Sequence, residues 1–102
     1  MTYLIQILLP LRDNRGKRLA RGLYIRTQRK LTEKFKGLTA YSRAPAEGLW
    51  KPRDGTKREE IVVYEVMAAE LEKKWWRRCR KQLERRFRQE SIVIRAQQTT
   101  VL

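Results

Sequence analysis

Histidine is absent from this chain and cysteine occurs once, at Cys79. Without an imidazole there is no Ser-His or Cys-His pair to activate a nucleophile, and a lone thiol forms no internal disulfide. Zinc-type cysteine spacing, a phosphate loop and a dinucleotide fingerprint are also missing from the sequence. No cofactor or metal is therefore expected. The single cysteine makes a reducing cytoplasm the simplest setting, and the first residues lack the basic start and cleavage site of a signal peptide. Long apolar runs are lacking too. The longest, residues 4–11, is broken by Gln6 and Pro10, which disfavours a membrane-spanning role. Acidic residues are scarce as well: 11 Asp and Glu stand against 25 Lys and Arg, a net charge of +14. A field of that size attracts polyanions and opposes self-association over a Debye length.

What is present suffices for one folded domain. The chain has 102 residues, 41% of them apolar, enough for a single modest core. Residues 2–9 are β-favouring or apolar and stop at Pro10, which reads as a central strand buried on both faces. A turn cluster, Asp13-Asn14-Arg15-Gly16, follows. From residue 18 the period changes: Leu19, Leu23, Leu31 and Phe35 recur at helical spacing up to Gly37, predicting a helix over 18–35. Residues 38–43 read as a strand interrupted by Ala44-Pro45-Ala46, with residues 48–51 as a resumed edge segment and Asp54-Gly55 as a turn. A clear strand covers 61–67. Leu71, Trp75, Cys79, Leu83 and Phe87, spaced by four, predict a second helix within 69–88, its start near Glu70 and Glu72. Residues 91–96 close the domain as a short strand. Residues 97–102, opening on the polar Gln97-Gln98-Thr99-Thr100, either fray as a tail or prolong that strand.

The order β-α-β-β-α-β is that of a ferredoxin-like α+β domain, with two helices on one face of a four-stranded antiparallel sheet. Alternation assigns the other face. Val62, Tyr64 and Val66 point to the helices and leave Ile61, Val63, Glu65 and Met67 opposite, joined by Leu4, Leu8 and Val93. So apolar a face calls for a cover, and a second copy packed sheet to sheet, a dimeric α+β barrel, is the expected one. Three polar residues interrupt it: Gln6, Glu65 and Arg95. They read either as a network fixing the register of the homodimer or as a site, with Glu65 a carboxylate base and Arg95 an anion clamp. In the second reading Tyr41 and Trp50 line a small-molecule pocket with them. The competing view of Gly48-Leu49-Trp50 is a bulge with a tryptophan plugging the sheet edge.

One segment has a look of its own. Phe35-Lys36-Gly37-Leu38-Thr39 followed by Gly48-Leu49-Trp50, with Ile61-Val62-Val63-Tyr64-Glu65-Val66 and Leu83-Glu84-Arg85-Arg86-Phe87, resembles a group of short, uncharacterised bacterial proteins. That group shows Phe-Gly-Gly-Leu/Val-Thr and then Gly-x-Trp. Lys36 stands where the first of its two glycines would be. The resemblance implies a small α+β fold and supplies no established activity, so no catalytic residue is carried over.

The basic residues crowd the two helices. Lys73, Lys74, Arg77, Arg78, Lys81, Arg85 and Arg88 on the second, with Arg26 and Lys30 on the first, are the candidate contacts to RNA or DNA phosphates. Local neutralisation is sparse, Glu84 to Arg88 being one pair at i,i+4. A solvated face that only keeps the protein apart is the bland reading, and Trp75-Trp76 among cations as a membrane-surface helix is a disfavoured third. The third strand offers only Tyr64 for stacking, so the RNA-recognition sheet signature is missing and any nucleic-acid binding should be sequence-tolerant. The leading expectation is a non-catalytic basic binding protein. The alternatives are a cofactor-independent enzyme or small-molecule binder using the barrel interior, and an assembly protein.

Overall fold

The structure, a computed structural model, describes residues 2–43 and 61–102. In chain order they form β1 (Thr2–Pro10), α1 (Arg21–Phe35), β2 (Thr39–Arg43), β3 (Ile61–Ala68), α2 (Lys73–Arg86) and β4 (Val93–Thr99). The strands make one antiparallel sheet in the order β2-β3-β1-β4, the ferredoxin-like arrangement expected from the pattern. The edge segment at 48–51, Trp50 and the turn at 54–55 lie outside the described residues.

Period-two alternation decides what β1 and β3 bury. Ile5, Ile7 and Leu9 are at most 1% exposed and join Tyr64 and Val66 under the helices. Leu4, Gln6 and Leu8 are half-buried on the other side, so β1 is fully enclosed on one face rather than on both. From above, Leu31, Trp76, Cys79, Leu83 and Phe87 close the core, with Ile92 entering just before β4. The helices run antiparallel. Tyr24 meets Phe87 edge to face at 5.2 Å near one end, and Phe35 stacks on Trp76 at 5.3 Å near the other.

Both helices start later than their apolar period suggests, for local reasons. Residues 12–18 close a loop instead of a first turn: Asp13 Oδ1 accepts the backbone N–H groups of Arg15 and Lys17, and Arg12 bridges to Arg18. Gly16 supplies the φ of 81° that this loop requires. Leu19 therefore packs from the loop, not from the helix. β3, for its part, extends to Ala68, paired with Tyr3, so the chain must turn before α2 begins at Lys73. Glu70 and Glu72 consequently precede the helix, and its first turn carries no acid.

Residues 97–99 prolong β4, which ends at Thr99, and residues 100–102 lie beyond it. Gln97 and Gln98 stand in register with Leu4 and Tyr3, which gives the backbone of a polar segment its partners in β1. After α1, Lys36 takes the left-handed conformation at φ 58° that a glycine usually supplies.

Val63 corrects the expectation of an open second face. It lies on the side away from the helices, between Leu8 and Tyr41, yet is 0% exposed. That face is already dry at its centre within one chain. Met67 and Val93, at 55% and 50%, are its exposed apolar residues.

Candidate polyanion-binding site

The charge of the two helices is turned outward by the same periodicity that turns Leu31, Cys79 and Leu83 inward. Helix α2 carries eight Lys and Arg against one Glu, and α1 carries five against one. Lys73, Lys74, Arg77, Arg78, Lys81, Arg85 and Arg88 are all exposed, as is Arg26; Lys30 is half-buried. At 100° per residue, Lys74, Arg78, Lys81 and Arg85 fall along the side of α2 nearer α1, while Arg26 and Lys30 fall along the facing side of α1. These six thus line the side where the two helices adjoin, while Lys73 and Arg77 fall on the other flank of α2 and Arg88 lies beyond its end.

Lys30 and Lys34 hold this face together. The Lys30 ammonium donates to Gln82 Oε1 across the helices, and that of Lys34 stands 3.0 Å from Glu72 Oε2. Both lie over the Trp75 ring, at 5.6 and 4.7 Å from its centroid, while Phe35 and Trp76 present edges or faces nearby. Trp76 is buried, and Trp75 is half-buried beneath the two ammonium groups. This seam escaped the sequence reading, though the signal existed: an i,i+4 pair of lysines beside a Trp-Trp step.

Glu84 does not pair with Arg88 as the spacing suggests. Its Oε2 accepts the Ile92 backbone N–H at 3.0 Å and lies 4.0 Å from Arg80. Arg88 has left the helix at φ 50°, which removes it from the i+4 direction. A cleft of about 400 Å³ opens there, lined by Asn14, Lys81, Glu84, Arg85, Arg88, Gln89 and Glu90. Asn14 was not among the sequence candidates, because its contact with α2 depends on how the β1–α1 loop docks.

A second cleft, about 360 Å³, lies between α1 and the β2 side of the sheet, with Tyr24, Tyr64, Gln28 and Arg21 among its walls. Its hydroxyls are engaged: Tyr24 donates to the Pro10 carbonyl at 2.5 Å, and Gln28 donates to the Tyr64 oxygen at 2.8 Å. Burial pushes both phenols above their usual pKa. The Cys79 thiol is raised too, by burial first, against the pull of Lys30 and Arg86, so it packs as a small hydrophobe.

On the other side of the sheet, register brings the polar trio together. Gln6 pairs with Glu65 on β3 and with Arg95 on β4. Arg95 Nε donates to Gln6 Oε1 at 2.8 Å, and Gln6 Nε2 donates to Glu65 Oε1 at 2.6 Å. Within one chain Arg95 is exposed, so the trio is a surface chain with a half-buried centre. Tyr41 is in register with Val63, and neither described cleft is lined by Gln6, Glu65 or Arg95. Among the described residues no group of three His, Cys, Asp or Glu could hold a metal, and no helix is long and apolar enough to cross a membrane. No protein-family model matches the chain, and no curated protein or solved structure matches it.

Proposed function

We propose that this protein is a non-catalytic binding protein that engages the phosphate backbone of nucleic acid through the outer face of its two helices. The observation that carries the reading is the segregation of charge: thirteen basic residues against two acids on the helices, with eight of the nine candidate contacts exposed. Phosphate contacts carry no base information, so binding is sequence-tolerant and steeply dependent on salt. Purified, nuclease-treated protein should bind unrelated duplexes alike, with a log–log salt slope of about −0.9 per phosphate neutralised. Replacing Arg77, Arg78, Lys81 and Arg85 together by Gln should flatten the slope and weaken binding equally for all sequences. Glu65→Gln, on the opposite face, should leave it unchanged. Absence of association with DNA and RNA at low salt overturns the reading.

We also propose that the protein forms a homodimer through the sheet face. Glu65 and Arg95 flank Gln6 on opposite sides, on neighbouring strands. A two-fold axis along β1 sets Glu65 of one copy opposite Arg95 of the other, so the face is complementary in charge to itself, with Met67 and Val93 as its apolar contacts. The helical faces then point outward on both sides.

A further inference from the structure

Arg88 occupies a backbone position that favours glycine. Helix α2 ends in a closed left-handed cap: the Gln89 N–H reaches back to the Glu84 carbonyl at 2.9 Å and the Arg88 N–H to the Arg85 carbonyl at 3.3 Å, with Arg88 between at φ 50°. An L side chain there is strained, and the strain persists only because the surroundings impose it. They do so from two sides. The Arg88 carbonyl accepts the Asn14 N–H at 3.0 Å, and the Gln89 side-chain amide donates to the Arg12 carbonyl at 2.7 Å and to the Phe87 carbonyl at 2.9 Å. The result is a fixed junction between the end of α2 and the β1–α1 loop, and the cleft of about 400 Å³ lies there, lined by Arg88 with Lys81 and Arg85.

The helix dipole accounts for basic residues in the last turn, since cations are favoured near the carbonyl end. It does not account for an arginine at the residue of this cap where glycine is better. Nor do the two carboxylates of the cleft neutralise it. Glu84 is engaged by the Ile92 N–H and lies near Arg80, Glu90 is exposed to water, and the carboxylate that feels the charge of Arg88 is Asp13 of the β1–α1 loop, whose Oδ1 already accepts the Arg15 and Lys17 N–H groups.

We propose that this cleft is the seat of one backbone phosphate, with Arg88 as the residue that grips it and Lys81 and Arg85 beside it. The inference rests on the binding function proposed above and fixes where the nucleic acid is held most firmly. A guanidinium presents a planar fork that matches two phosphate oxygens, and a rigid backbone beneath it lowers the entropy lost on contact. Strain at Arg88 is then retained because the side chain is needed.

Lys36 provides the matched control. It is also left-handed, at φ 58°, and also basic, but it lines neither described cleft. The experiment measures thermal stability and the salt dependence of binding to a short DNA duplex for the full chain and for Arg88→Gly, Arg88→Gln and Lys36→Gly. Both glycine variants should raise Tm, by about 5 °C. Only the Arg88 variants should weaken binding, about tenfold or more, and reduce the salt slope by about 0.9, one phosphate contact. If Arg88→Gly destabilises the fold, Arg88→Gln still reads the slope at unrelieved strain. Equal small losses from Arg88→Gln and Lys36→Gly overturn the phosphate seat while the binding function stands. A parent protein that binds no duplex overturns both.

Discussion

Thr27 stands where the apolar ladder of α1 skips a step. Leu19, Leu23, Leu31 and Phe35 are spaced to leave position 27 on the buried side, and Thr27 is 1% exposed. Its hydroxyl is satisfied within the helix, donating to the Leu23 carbonyl at 2.8 Å, so a polar residue enters the core with its donor paired. Gly22 is the reverse case, a residue whose type the structure does not require. It lies in the first turn of α1, exposed, and a Cβ built on it meets nothing within 4 Å. Gly22→Ala should therefore stabilise by about 0.5–1 kcal/mol, chiefly by restricting the unfolded chain. A urea titration checks this as a higher midpoint at unchanged slope. Gly16, at φ 81°, would not tolerate the same change. The sequence places Gly16 in a turn cluster and Gly22 inside a predicted helix, but it does not give the left-handed φ of the first, which the fold of the 12–18 loop requires.

At the scale of the element, α2 is the test of what periodicity can and cannot reveal. Its stripe of Trp76, Cys79 and Leu83 is buried at 6%, 2% and 1%, as spacing by three and four requires. Leu83→Ala should cost about 2–5 kcal/mol by leaving a cavity between helix and sheet. Lys81→Ala, on an exposed position of the same turn, should change stability by less than about 0.5 kcal/mol. Chemical denaturation of the two variants side by side is the measurement, and similar losses would mean that the buried face is misassigned. The helix's face was legible because burial repeats along it. Its start was not, because the pairing of Ala68 with Tyr3 is a contact between distant parts of the chain. The candidate site divides the same way. Exposure of the basic residues follows from the stripe, whereas the cleft at Arg88 depends on a loop docking 74 residues away in sequence, Asn14 against Arg88.

Over the whole molecule the two faces differ in what they expose, and salt should act on them in opposite directions. The helical face is cationic, so its binding to a polyanion weakens as salt rises. Association through the sheet face brings together two chains of charge +14, so screening should favour it. Substitution must avoid Val63, which is buried within the single chain and would fail in a monomer as well. Val93 is the informative position: half-exposed, on the sheet's free face, in register with Leu8. As a monomer, Val93→Lys should fold with a stability change of less than about 0.5 kcal/mol. In a sheet-to-sheet dimer the same lysine would be buried without a partner and would split the assembly. Sedimentation at tens of micromolar, roughly the range where a standard-size interface should hold, is the measurement. The unmodified protein should run as a dimer that strengthens between low and moderate salt, and Val93→Lys as a folded monomer. An unmodified protein that is monomeric throughout overturns the dimer and leaves the phosphate-binding face, on the other side of the sheet, untouched.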